Sequence, residues 1–265
     1  MSEGRSPAER GVGEYQALPP DPPPPRRGQI RPLRPHASGA LAALLWLCAA
    51  GLWLYLARPH LGLAVLAWFC LLAIVGIVIP GVANQITFAR AYLAGVAFAY
   101  VLSPAGLVGL AITVGLGALS DVIDGYVARR RHETSSFGGA LDPVVDGIFF
   151  GAAALGLAVG GAYPLWLAIV VAVRYATPAV VGAAALLLGY HPTIRHSPLG
   201  QLSTASIAIL LGLIALLRGL DVDAGWLAVV AEIVIPLTGL VAWANLAWTN
   251  WHVLRREAQV SRGPA

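Results

Sequence analysis

Lysine is absent from these 265 residues, and all 17 basic side chains are arginine. Charge of either sign is scarce: Asp, Glu, Lys and Arg together make 11% of the chain, where soluble domains carry about 25%. With 58% hydrophobic residues and a mean hydropathy of +0.74, that scarcity excludes an ordinary soluble domain and indicates a polytopic membrane protein. The only two cysteines, Cys48 and Cys70, sit inside separate apolar runs. They imply neither a disulfide framework nor a thiolate metal site, and read as small buried hydrophobes. A net charge of +4 is modest and points to no nucleic-acid partner. No internal repeat is visible. The missing lysine, together with abundant Ala, Gly and Pro, fits a GC-rich bacterial genome.

Apolar runs dominate what is present. Eight stretches approach the roughly 20 residues needed to cross a bilayer: about 39–57, 61–80, 85–102, 105–128, 141–160, 164–188, 199–217 and 226–248. Ahead of them, residues 1–37 are polar and Pro-rich, a composition that cannot bury a core and predicts a disordered tail. Arginine placement sets the topology. With the N-terminus cytoplasmic, one side holds the tail arginines, Arg90, Arg129, Arg130, Arg131, Arg195, Arg255, Arg256 and Arg262. The other side holds only Arg58 and Arg218, while Arg174 falls within a span. The positive-inside rule reads that asymmetry clearly. Trp226, Trp243, Trp248 and Trp251 lie near span ends, as an interfacial aromatic belt does.

Four acids break the apolar pattern: Asp121, Asp124, Asp142 and Asp146. Carboxylates in lipid are costly and mark functional sites. Four so close would repel one another without cations between them. Asp121 and Asp124 are three apart and Asp142 and Asp146 four apart, so each pair shares one helical face. The connection Arg131–Leu141 folds the two helices antiparallel, which lets the carboxylates converge. Oxygen-only ligands favour a hard cation such as Mg²⁺ or Mn²⁺, and the lack of histidine argues against zinc. Two such ions would clamp a pyrophosphate. Gly125 and Ala128 leave a small surface, suited either to close helix packing or to the approach of a ligand. Arg129 carries a planar fork suited to phosphate.

The segment Asp121-x2-Asp124-Gly125-x2-Ala128-Arg129-x8-Gly138-x3-Asp142-x3-Asp146 resembles the signature of the CDP-alcohol phosphotransferases, integral membrane enzymes of phospholipid synthesis. Asn84-x2-Thr87-x2-Arg90 upstream is similar to a second element of that family. The resemblance implies an all-α polytopic bundle: a six-helix catalytic core over residues 81–250, two added transmembrane helices over 38–80, and a cytoplasmic tail over 251–265. It implies that Asp121, Asp124, Asp142 and Asp146 hold two metal ions and that Asp146 is also the catalytic base for the acceptor hydroxyl. Asn84, Thr87, Gly125, Arg129, Ser135 and Gly138 would hold the CDP moiety. Arg131, Arg174 and Arg195 are candidates to bind the acceptor, Arg174 pairing either with a carboxylate or with an anionic acceptor.

The implied reaction moves a phosphatidyl group from CDP-diacylglycerol to an alcohol and releases CMP. The implied site faces the cytoplasm in the inner membrane, and a homodimer is left open. Asp142-Pro143 and the run from Gly125 to Arg130 are most similar to glycerophosphate-using synthases and the related cardiolipin synthases. Gly147 stands where those enzymes commonly have Lys or Arg, and Gln201 where family members often have Lys, so inositol phosphate or serine acceptors stay open. So does transfer of a CDP-activated head group to a lipid alcohol. An ion-coupled transporter is the rival from another class; it predicts carboxylates near the bilayer midplane, broken helices and often a repeat.

Overall fold

A computed structural model describes residues 34–101, 106–131, 136–187 and 198–260. Most of the Pro-rich segment read as a disordered tail, together with Ser135 and Arg195, lies outside the described residues. Within them every regular element is a helix: α1 (Ala37–Ala57), α2 (Gly62–Gly76), α3 (Val82–Val101), α4 (Gly106–Arg131), α5 (Ser136–Val159), α6 (Leu165–Leu187), α7 (Pro198–Gly219) and α8 (Gly225–Val260). Alanine and leucine, the strongest helix formers, fill these segments. A helix also satisfies its own backbone hydrogen bonds, which lipid cannot do. The order and number match the all-α bundle expected from the sequence.

Five helices are long and apolar enough to cross a membrane: α1, α4, α5 over Leu141–Val159, α7 over Leu199–Gly219, and α8 over Gly225–Trp248. That is fewer than the eight expected. α2 is apolar but short, as is the Leu165–Pro178 part of α6. α3 carries Asn84, Gln85, Thr87 and Arg90 in its first half, and these lower its hydropathy. Large apolar side chains such as Leu44, Leu63, Ile112, Ile209 and Leu237 are exposed around the bundle, on a scale soluble monomers avoid. They are the lipid-facing surface. Cys48 and Cys70 are exposed on it rather than buried.

α3 is the shared element. It packs against both α4 and α5, while α6 lies on α5 and α8, and α7 on α4 and α8. One core gathers Leu110, Phe149, Leu157, Leu211 and Ile235 from the later helices. A second gathers Ala50, Phe69, Leu72, Phe88 and Tyr92 from α1, α2 and α3. The α1–α2 pair is therefore joined to the bundle through α3. Gln85 secures that joint, its amide nitrogen donating to the carbonyls of Gly76 and Ile79, each at 2.8 Å.

Three details depart from the sequence reading. α5 begins at Ser136, so much of the expected connection Arg131–Leu141 is helix. α8 runs on to Val260, past the point where the cytoplasmic tail was placed. In both cases a helix continues beyond the apolar stretch, because outside lipid it need not be apolar. Trp243 is no belt residue: its indole nitrogen donates to the Arg174 carbonyl at 3.3 Å and ties α8 to α6. Trp226 and Trp248, at the two ends of the α8 span, are exposed as expected of belt residues.

Gly117 fixes how closely α4 meets α5, since a Cβ there would run into the Phe149 ring. Gly117→Leu is expected to lower stability by about 1–3 kcal/mol through overpacking, read as a lower thermal midpoint in detergent.

Candidate functional site

Arg90 is the centre of the arrangement. Its side chain, on α3, is 1% exposed, an unusual place for a guanidinium unless it is paired. Nη1 donates to Asp121 Oδ1 at 2.5 Å and to Asp146 Oδ1 at 2.6 Å. Nη2 donates to Asp124 Oδ2 at 2.8 Å and lies 3.5 Å from Asp142 Oδ1. One turn earlier on α3, the Thr87 hydroxyl donates to the same Asp124 oxygen at 2.7 Å. All four acids of the motif thus reach one cation, two from α4 and two from α5. The convergence expected from the spacing is borne out geometrically. The packing of α3 against both α4 and α5 is what puts Arg90 between the pairs.

The cluster is graded in exposure. The side chains of Asp124 and Asp146 are 9% and 12% exposed, those of Asp142 and Asp121 35% and 56%. Asp121 is bonded to the guanidinium as closely as the inner pair, and only Asp142 stands off, at 3.5 Å. Asp121 and Asp124 lie toward the C-terminal end of α4, whose 26 residues are about 39 Å long, more than the roughly 30 Å hydrocarbon core. Asp142 is at the start of the apolar part of α5. Asp121 and Asp124 thus lie in the second half of α4, and Asp142 and Asp146 in the first half of α5.

One guanidinium against four carboxylates leaves a formal excess of three negative charges. Like charges at this separation call for further cations. The donor set is all carboxylate oxygen, with a threonine hydroxyl beside it, which fits a hard divalent ion. Arg90 itself stands in the middle of the set, and among the described residues no three His, Cys, Asp or Glu side chains are arranged to close on a metal ion. The chemistry of the donors fits a divalent cation; this side-chain arrangement is closed on arginine instead. Asp142, 3.5 Å from the guanidinium, is the acid that Arg90 holds most loosely.

The other expected site residues fall into two groups. Gly125 and Arg129 lie within one turn of Asp124 on α4, and Gly138 lies in the first turn of α5, one turn before Asp142. A Cβ on Gly125 would meet only the Arg129 guanidinium, at 3.4 Å, so no neighbouring helix packs on that small surface. Among the described residues, none from another helix comes within packing distance of Gly125. Arg129, Arg130 and Arg131 form the last turn of α4, where positive charge complements the helix dipole. Arg130 donates to the Tyr126 hydroxyl at 3.0 Å. Asn84 is buried and its amide donates to the Pro80 carbonyl at 2.7 Å, holding the entry to α3 rather than reaching the carboxylates.

Arg174 forms a separate buried site on α6. Nε donates to Ser203 Oγ at 2.8 Å, and Nη2 to the Gly200 carbonyl at 3.1 Å and Thr204 Oγ1 at 3.2 Å. Its guanidinium lies 4.4 Å from the Tyr175 ring centroid. Among the described residues it makes no ion pair with a carboxylate, so of the two partners expected for it the acid is ruled out there. Tyr175 stacks on Phe150 of α5 and packs against Gly147, the residue after Asp146. The Arg174 site is thus next door to the carboxylate cluster.

Arg90 is the site residue that sequence reasoning missed. It entered only as a motif position and as one of the cytoplasmic-side charges. Its burial removes it from the topology count, which stays strongly one-sided without it. The signal was there: an arginine in apolar sequence, six residues after a buried asparagine, facing a chain segment with four unpaired acids.

Residues 81–251 match the family described as CDP-alcohol phosphatidyltransferase. The chain is 30% identical over 137 residues to a cardiolipin synthase (CMP-forming) of Streptomyces coelicolor, covering 52% of this chain and 58% of that protein. It is 30% identical over 136 residues to a CDP-diacylglycerol–glycerol-3-phosphate 3-phosphatidyltransferase of Bacillus subtilis, covering 46% and 69%. A probable phosphatidylglycerophosphate synthase of Mycobacterium tuberculosis is 30% identical over 98 residues, 37% of this chain and 46% of that protein. α1 and α2 precede the matched region.

Arg90→Gln should destabilise the protein by about 3–5 kcal/mol, because it strands buried carboxylates. In the double variant with Asp124→Asn the loss should be smaller than the sum of the two single losses. Thermal unfolding of the four proteins of that cycle is the measurement.

Proposed function

Because the chain belongs to the CDP-alcohol phosphatidyltransferase family, we propose that it transfers the phosphatidyl group of CDP-diacylglycerol to an alcohol acceptor of the glycerol phosphate type, releasing CMP. The observation that carries this reading is the convergence of Asp121, Asp124, Asp142 and Asp146 around Arg90. The relatives named for glycerol phosphate and cardiolipin chemistry support the acceptor class.

The four aspartates would hold Mg²⁺ or Mn²⁺, two ions in this reading. Bound there, the divalent ions offset the charge of the carboxylates and of the donor's pyrophosphate oxygens. Thr87, with Arg90, fixes the orientation of Asp124. Gly125 gives the nucleotide an open helix surface, and Arg129 supplies a planar fork to a phosphate. Asn84, Ser135 and Gly138 complete the CDP contacts. The acceptor oxygen attacks the phosphorus on the lipid side of the pyrophosphate. Asp146 takes the hydroxyl proton, a new P–O bond forms to the acceptor, and the P–O bond to CMP breaks with its electron pair leaving on CMP. Arg174 binds the acceptor's anionic group, with Arg131 and Arg195 as further contacts. Ser203 and Thr204 hold the Arg174 guanidinium in place for that role.

The arginine asymmetry and the cytosolic origin of CDP-linked substrates support a site facing the cytoplasm in this reading. Residues 81–250 are then the catalytic core, 38–80 an added helix pair, 1–37 and 251–265 the cytoplasmic ends, and a homodimer is the proposed assembly.

Purified protein with CDP-diacylglycerol and Mg²⁺ should release CMP with one member of an acceptor panel of glycerol phosphate, phosphatidylglycerol, inositol phosphate and serine. A chelator should abolish release, and Mg²⁺ or Mn²⁺ restore it. Asp146→Asn should cut the rate by about 10²–10⁴-fold, the usual worth of a general base. Release that persists in that variant would remove Asp146 from the reaction.

A further inference from the structure

A cavity of about 230 Å³ lies between α1, α3 and α4, with Phe69 of α2 in its wall. Two aromatic pairs bracket it. Trp46 stacks on Tyr92 with ring centroids 5.1 Å apart and planes within 8°. Seven residues on, Trp53 meets the Tyr100 ring edge-on at 5.5 Å, and its indole nitrogen donates to the Tyr100 hydroxyl at 2.8 Å. Seven residues correspond to about 10 Å of helix rise. The two pairs act as spacers that hold α1 off α3 and α4 over that length.

The wall offers a ligand little but hydrocarbon. The Trp53 indole is bonded to Tyr100, and the Thr113 hydroxyl donates to the Gly109 carbonyl at 2.7 Å. Ile112 and Leu116, also in the wall, are 59% and 49% exposed, so the cavity opens sideways into the lipid. Two of its lining residues lie close along the chain to the carboxylate site. Leu93 follows Arg90 by three residues on α3, and Leu116 precedes Asp121 by five on α4, about 5 and 7 Å of rise. From there the cavity runs away from the cluster along the same two helices.

We propose that this cavity holds an acyl chain of the CDP-linked lipid donor while the donor's pyrophosphate lies at the carboxylate cluster. The proposal rests on the transfer reading above and extends it to the lipid end of the substrate. A bulk bilayer lipid would also supply hydrocarbon; the donor is favoured because the cavity begins about one turn of helix from the site that takes its head group. The α1–α2 side of the wall lies outside the family match, which starts at residue 81. Selection for the length of the chain is then a property these two helices add.

Two measurements on the full chain test this. In the first, CMP release is followed with dioctanoyl and dioleoyl CDP-diacylglycerol for the parent and for Leu116→Trp, which narrows the opening. The expected result is a several-fold rise in KM for the long-chain donor with the short-chain donor unchanged. Equal effects on both donors, or none on either, would overturn the proposal. In the second, the protein in nanodiscs of phosphatidylcholine receives CDP-diacylglycerol brominated in its acyl chains, or brominated phosphatidylcholine at the same mole fraction. Tryptophan quenching should be stronger with the CDP-linked lipid, and the excess should vanish in a Trp46→Phe/Trp53→Phe variant. Equal quenching by the two lipids would mean bulk lipid only and sink the idea. This second readout needs no turnover: a parent that releases no CMP would fail the transfer reading while the quenching still decides the cavity's occupant.

Discussion

A single buried guanidinium sets the geometry of this protein's polar centre. Arg90 takes ion pairs from four carboxylates on two helices. A buried charge without partners costs several kcal/mol, so each side needs the other. α3 must lie between α4 and α5 for the pairing to exist, and α3 is also the helix through which α1 and α2 join the bundle. The polar centre and the packing order are therefore one constraint. The balance is nonetheless incomplete, because one positive charge faces four negative ones. In the proposed reading, that remaining negative charge suits the cluster to receive further cations.

The environment explains why such a cluster can persist. The outside of the bundle is apolar, and several polar side chains inside it are bonded in place: Gln85 to the end of α2, Thr113 to its own helix, and Arg174 to Ser203 and Thr204. Among the described residues, Arg90 Nε and the hydroxyls of Tyr92, Tyr163 and Tyr175 are buried without a hydrogen-bond partner. Against that background the outer carboxylates, Asp121 and Asp142, are the exposed members of the cluster.

Much of the fold was legible from the pattern of apolar runs, because in lipid a run of sufficient length has one stable form. The helix ends were less so. α5 starts before its apolar stretch and α8 continues after its own, since hydropathy reports where lipid ends and not where a helix does. The aspartate pairs were legible through their spacing of three and four. Their shared partner was not, because Arg90 lies on a different helix and a single sequence records no contacts between helices. The same blindness misplaced Trp243, whose indole contact is with the backbone of a residue 69 positions away. Gly125 was ambiguous in sequence between packing and access, and among the described residues no other helix packs on it.

The central claim is that the four carboxylates around Arg90 form the divalent-cation site on which the chemistry depends. Titrating purified protein with Mn²⁺ and following the free-ion signal by electron paramagnetic resonance tests it without any substrate. The account predicts saturable binding by the parent and a reduced number of bound ions in Asp142→Asn, which alters an exposed carboxylate and leaves the buried pair on Arg90. A variant that folds and binds as many ions as the parent, with the same affinity, would contradict it.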